Sequence, residues 1–221
     1  MKRKIITTAD GSKTIQIEDW NEQYHSIHGA IQEAYHVFIK HGLSLFHDQQ
    51  LSILEIGFGT GLNALITLVE SEKLGLDIAY KGIEAYPVLP DELEQLDYSG
   101  ALEVKDFEQH FFNMHQTSWE QSHSILAHFE LIKQQIDFRE ISDVDLFDLI
   151  YFDAFGARVQ PELWTEEVFA IMYKALKKDG VLVTYSAKGS VRRAMQAVGF
   201  VVERLPGPPG KREMLRALKV S

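Results

Sequence analysis

Cysteine is absent from the chain, which removes both a disulfide framework and a thiolate metal site. No apolar run approaches a membrane span. The basic start, MKRK, is followed by no apolar stretch long enough for a signal peptide. A cytoplasmic protein without a membrane partner is therefore expected. No internal repeat and no linker divide the 221 residues. The expectation is a single domain over 1–221, with an N-terminal hairpin-and-helix extension over 1–45 and a core over 46–221. What is present is ordinary for a globular protein: 45% hydrophobic and 24% charged residues, enough to bury a full core. The formal net charge of −10 speaks against a nucleic-acid partner until its distribution is considered. Residues 186–221 hold eight Lys or Arg against two acids, a surplus of +6, whereas the rest holds 14 basic and 30 acidic residues, or −16. Screening confines fields to about 10 Å, so a basic segment on an acidic body still supplies local phosphate contacts. An ordinary solvated face is the alternative.

The chain is organised around 53–68, ILEIGFGTGLNALITL. A short apolar strand runs into Gly57, Gly59 and Gly61, and a helical pattern of Leu62, Ala64, Leu65 and Leu68 begins at once. Such a turn brings backbone N–H groups and the positive helix end to a ligand, and glycine leaves room for its approach. The spacing is E-x-G-x-G-x-G, with Glu55 inside the strand end, not the G-x-G-x-x-G of dinucleotide sites. It resembles the first motif of Rossmann-like S-adenosylmethionine methyltransferases. A dehydrogenase is disfavoured by the same spacing.

Before this stretch, residues 4–17 alternate around Asp10-Gly11 as a small hairpin, and 24–43 has helical spacing ending at Gly42. Tyr24, His25, Ser26 and His28 cluster where the chain nears the crevice, to line or lid it; no third ligand accompanies the two histidines, so no metal is expected. After it, 77–85 reads as a strand ending in Glu84, about 20 residues beyond the glycines, where a carboxylate accepts ribose hydroxyls. Helical signals follow over 89–96 and 107–115, and 128–136 reads as a third strand. Asp137 opens the next loop and could accept from an adenine amino group. The near-continuous apolar run 145–155 is a buried parallel strand ending in Asp153-Ala154-Phe155, at the carboxyl edge where open α/β sheets bind ligands. Thr165 is a plausible cap for a helix over 166–176, the turn 177–180 leads to a strand over 181–185, and a helix carries Arg192 and Arg193. Strands over 200–205 and 212–220, joined by a Pro/Gly loop, make an antiparallel hairpin at the sheet edge.

YHSIHGAIQEAYHVFI, LEIGFGTGLN, IEAYP, YFDAFGARVQPELWTEEVF, YSAKGSVRRAMQAVGF and GPPGKREML together resemble one family over nearly the whole chain. These are the methyltransferase units of MnmC and their stand-alone counterparts, MnmD, which methylate the amino group of 5-aminomethyl-2-thiouridine at the tRNA wobble position. The resemblance implies an α/β, Rossmann-like class I fold: a mostly parallel seven-stranded sheet with an antiparallel C-terminal hairpin. It implies S-adenosyl-L-methionine as cofactor, held by Glu55, Gly57, Gly59, Gly61, Asn63, Glu84 and Asp137, with Tyr24 and Ser26 beside them. It implies the anticodon region of tRNA as partner, with no obligatory protein partner, and methylation only, since 221 residues cannot also hold the oxidase domain of the bifunctional members. Asp153 would orient the amine and accept its proton, or serve only to position it. Phe155 and Trp164 would bracket the base, though either could belong to the core. Lys188, Arg192, Arg193, Lys211 and Arg212 would contact phosphates. A small-molecule N- or O-methyltransferase shares every cofactor motif without needing the basic ending, and a non-catalytic adenosine-ligand or RNA-binding module stands as the non-enzymatic alternative.

Overall fold

The computed structural model describes residues 2–220. Strands β1 (Arg3–Thr7) and β2 (Lys13–Ile17) pair antiparallel across the Asp10-Gly11 turn, and β3 (Glu22–Gln23) adds to β2. The helix expected from residue 24 starts only at α1 (Ala30–Ala34), because Gly29 at φ 141° breaks it, and it continues as a π-helical turn to Lys40. Residues 24–28 are thereby bends and a turn ahead of that helix, closed by the Gly29 N–H on the Ser26 carbonyl.

The core follows, strands alternating with helices over most of its length. β4 (Gln50–Ile56) leads into α2 (Leu62–Lys73), and β5 (Asp77–Ile83) into the short helices α3 (Pro90–Leu93) and α4 (Tyr98–Ala101) and then α5 (Glu108–Gln116). β6 (Ser122–Leu126) turns back into β7 (Phe129–Gln134), and β8 (Phe147–Phe152) precedes α6 (Glu166–Ala175). Thr165 caps α6, its hydroxyl accepting from the N–H of Val168. β9 (Leu176–Thr184), α7 (Gly189–Ala197), β10 (Val201–Pro206) and β11 (Glu213–Leu218) complete the chain.

These strands form one eight-stranded sheet in the order β10-β11-β9-β8-β4-β5-β7-β6. β9, β8, β4, β5 and β7 are parallel, β10 and β11 close one edge antiparallel, and β6 closes the other. The sheet has one strand more than expected, since β6 is polar and short and carries no apolar run. β9 starts earlier than residue 181: Lys177–Gly180 forms an irregularity in the β8–β9 pairing, with Asp179 at φ 64°. Apolar side chains pack on both faces, against α1, α2 and α5 on one and α6 and α7 on the other. β4 and β8 are buried on both over most of their length, as their mostly apolar sequences demand. Their carboxyl ends lie side by side, with Ile56 opposite Phe152, which brings Gly57 and Asp153 together.

Candidate active site

β4 stops where glycine begins. Gly57, Gly59 and Gly61 all have positive φ (86°, 50° and 72°), a region that β-carbons disfavour. A Cβ on Gly57 would stand 2.8 Å from the carbonyl oxygen of Asp153, and one on Gly59 would stand 3.2 Å from the ring of Tyr24. Gly61 faces the other way, toward His115 on α5. The N–H of Gly59 donates to Glu84 Oε2 and that of Tyr86 to Oε1, both at 2.9 Å, so the carboxylate is fixed beside the glycine loop. Burial raises the Glu84 pKa, against these hydrogen bonds.

Tyr24, Gly57, Gly59, Asn63, Glu84, Asp153 and Phe155 line one cleft, and Gly61, Glu55, Ser26, Asp137 and Trp164 do not. Glu55 is fully buried beneath it and accepts from Tyr80 Oη (2.9 Å) and Asn63 Nδ2 (3.0 Å). The same Nδ2 donates to Asp153 Oδ2 at 2.9 Å. Glu55 therefore reaches the cleft only through Asn63, whose Oδ1 is buried without a partner among the described residues. An orphaned acceptor of this kind suits a ligand N–H. Burial raises Glu55 well above the carboxylate range. Asp153 is pushed up to about 7, by burial first and by Glu33 second, against the hydrogen bond from Asn63 and the charge of Lys211.

Three expected contacts fall elsewhere. Asp137 opens a short turn, where it accepts from the N–H of Arg139 and pairs with its guanidinium at 2.7 Å, which holds its pKa low. Trp164 is core: it packs on Phe152 and Phe169 and donates Nε1–H to the Phe155 carbonyl at 2.8 Å. It supports the loop that carries Phe155 and presents no face to a base. Ser26 stands in an adjoining cavity, its N–H donating to Glu33. Lys211 also pairs with Glu33, unlike Lys188, Arg192, Arg193 and Arg212, which have no carboxylate partner among the described residues.

Sequence reasoning missed Glu33, Tyr185 and Arg3. Glu33 had a signal: an acid at the same helical spacing as the buried Ala30, Ala34 and Val37. Arg3 had none. Its guanidinium donates to the carbonyls of Tyr86 and Pro87 and to Glu92, clamping β1 over the cleft. Tyr24 packs edge-on to Phe155 with centroids 4.9 Å apart. Free space in the cleft is about 60 Å³, well under the several hundred of ordinary ligand pockets, so Tyr24 and Arg3 must shift to admit an adenosine. The fixed groups beneath them fit one: a glycine cradle, a carboxylate for hydroxyls, and a free amide oxygen. His25, half-buried and held neutral by desolvation with its pKa near 4, bonds Thr14. Among the described residues no cluster of three or more His, Cys, Asp or Glu could hold a metal, and no helix is long and apolar enough to cross a membrane.

Known proteins resemble this chain in sequence and fold. Residues 102–220 match a family described as S-adenosyl-L-methionine-dependent methyltransferase. The bifunctional MnmC of Hydrogenovibrio crunogenus, named for tRNA 5-methylaminomethyl-2-thiouridine biosynthesis, is 26% identical over 96% of this chain and 33% of its own. Its namesake from Leptospira interrogans is 29% identical over 90% and 32%. The chain thus spans about a third of the length of these curated relatives. The crystal structure of MnmC2 from Aquifex aeolicus superposes on all of this chain and 72% of its own, with a TM-score of 0.75 and 25% identity. Spermidine synthase from Thermotoga maritima shares the fold alone, at 14% identity and a TM-score of 0.56. Since the matched region is more than half of its length, the chain belongs to the family of S-adenosyl-L-methionine-dependent methyltransferases.

Proposed function

We propose that the protein methylates the amino group of 5-aminomethyl-2-thiouridine at the wobble position of tRNA, giving the 5-methylaminomethyl nucleoside. The relatives' names support the substrate, because a methylaminomethyl group is an aminomethyl group carrying one more methyl. The observation that carries the reading is Asp153, a carboxylate at the end of β8, hydrogen-bonded to Asn63 beside the glycine loop. Bound there, S-adenosyl-L-methionine supplies an electrophilic methyl on a sulfonium, toward which a neutral amine is already an adequate nucleophile.

The chain's own residues then have two tasks. Gly57, Gly59, Asn63 and Glu84 hold the cofactor, and alignment alone lowers the barrier substantially. Asp153 keeps the amine unprotonated: with a pKa near 7 it is a better match to an ammonium than an ordinary carboxylate. Lys188, Arg192, Arg193 and Arg212 supply phosphate contacts around the opening, and the anticodon region is the part of tRNA engaged. The test is incubation of purified protein with methyl-labelled cofactor and tRNA carrying the aminomethyl precursor, followed by nucleoside mass analysis. Label in 5-methylaminomethyl-2-thiouridine is the expected result. Unlabelled tRNA alongside turnover of free amines would overturn it in favour of a small-molecule enzyme.

A further inference from the structure

On the far side of the Tyr24–Phe155 ring pair lies a second cavity, of about 190 Å³, walled among others by Ser26, Glu33, Tyr185 and Lys211. It shares Tyr24, His25, Ala154 and Phe155 with the cofactor cleft, so it adjoins the end of that cleft where Asp153 lies. Glu33 is only 7% exposed, a rare situation for a carboxylate, and it occupies the same face of α1 as Ala30 and Ala34. Packing asks for no acid there. Its Oε1 accepts from Lys211 Nζ and its Oε2 from the N–H of Ser26, which leaves lone pairs on both oxygens. The Lys211 ammonium lies 3.8 Å from the centre of the Tyr185 ring, whose hydroxyl is anchored on the Ala154 carbonyl at 2.8 Å.

The charges around this junction do not balance. Facing Asp153 are Glu33 from α1, Asn63 from α2, Glu55 and Tyr80 from β4 and β5, Tyr185 after β9, and Lys211 from the β10–β11 loop. Tyr80 and Tyr185 are held protonated by burial, and Glu55 is buried beneath. His25 is neutral at pH 7. When Asp153 and Glu33 are ionised, two carboxylates share one ammonium. The place lacks one positive charge, and the ring of Phe155 offers an apolar wall beside it.

We propose, resting on the tRNA reading above, that this cavity seats the acceptor base and that Glu33 is its specificity-determining carboxylate. Glu33 receives the aminomethyl arm as an ammonium, the form a primary alkyl amine takes at neutral pH. The arm's proton passes to Asp153 Oδ, which frees the nitrogen lone pair. Lys211 competes with the arm for Glu33 and keeps donors free for a carbonyl oxygen of the ring.

The test compares binding of two tRNAs that differ only in carrying 5-aminomethyl-2-thiouridine or 2-thiouridine at the wobble position, with S-adenosylhomocysteine present. Wild type should prefer the aminomethyl form by about tenfold, the worth of one hydrogen bond to a charged group. Glu33→Gln should bring that ratio close to one while leaving affinity for the 2-thiouridine tRNA and for the cofactor within about twofold; Glu33→Asp should keep most of the preference. A ratio unchanged in Glu33→Gln overturns the assignment, as does a parallel loss for both tRNAs. Should Glu33→Gln fail to fold, Lys211→Met carries the test, because removing the competing ammonium should raise the preference; an unchanged or lower ratio overturns the assignment. The two failures are separable. A wild type that neither prefers nor methylates the aminomethyl tRNA refutes the tRNA reading, whereas one that methylates it with a Glu33-independent ratio refutes only the cavity.

Discussion

Asp153 sits where two requirements conflict. As the proposed proton acceptor it must be charged, yet burial and Glu33 oppose its charge, and only the Asn63 hydrogen bond and Lys211 favour it. The compromise near 7 sets the expected pH dependence. Activity should fall about tenfold per unit as pH drops below 7, because the protonated acid cannot serve as base. Asp153→Asn should keep cofactor affinity within about threefold by calorimetry and lower turnover by a factor on the order of 100 or more. Normal turnover would remove Asp153 from the chemistry. Stability carries its own sign. The native state holds the Asp153 proton more tightly than the unfolded chain, so between roughly pH 4 and 7 the protein should lose stability as pH rises. Urea midpoints for wild type and Asp153→Asn should converge at low pH, separate between roughly pH 4 and 7 and stay apart above 7, with the variant the more stable. At this scale the sequence was partly legible. Asp153 and Glu84 could be found because strand ends are places, but Trp164 could not be assigned, since a ring on a short 3-10 turn can face core or crevice and only packing decides.

The strand–glycine–helix unit concentrates the most constraint in the fewest atoms. Gly57 meets two demands at once: its φ of 86° strains any β-carbon, and the carbonyl of Asp153 leaves that carbon 2.8 Å. Gly57→Ala should therefore push the ends of β4 and β8 apart, cost on the order of 1–3 kcal/mol in stability, and abolish measurable cofactor binding. Denaturant melts together with calorimetric titration check both; retained binding would show that the loop does not form the cradle. This unit was readable because the apolar period changes from strand to helix within a few residues. Elements without such a change were not. β6, SHSIL, pairs antiparallel with β7 at an edge and has no apolar run to betray it. The first helix was over-extended because apolar spacing runs through residues 24–43 while Gly29 breaks the backbone. Lys177–Gly180 has turn composition yet stays within β9, because a local irregularity absorbs it.

Net charge and substrate stand opposed for the whole molecule: −10 overall, with a polyanion proposed as partner. Topology resolves this. β11 runs antiparallel to β9, with Leu215 opposite Thr184, so the loop bearing Lys211 and Arg212 returns to the edge where β9 ends and Lys188 leads into α7. The same edge carries Asp153, so Lys188, Lys211 and Arg212 gather beside the proposed site, while Arg216 and Lys219 pair with Glu203 and Asp145. Arg192 and Arg193, on the first turns of α7 and free of carboxylate partners among the described residues, are suited to phosphate binding. Replacing both with Ala leaves the buried face of α7, Val191, Ala194 and Met195, intact, so folding and cofactor affinity should hold. Binding to tRNA should weaken most at low salt, and the slope of log affinity against log salt should flatten by roughly 1 to 2, about 0.7 to 0.9 for each phosphate no longer neutralised. Titration of wild type and the double variant between 50 and 200 mM salt, on the order of the range where counterion release dominates, reads this directly. An unchanged slope would mean that phosphates are met elsewhere on the molecule and that the cationic edge is only a solvated face.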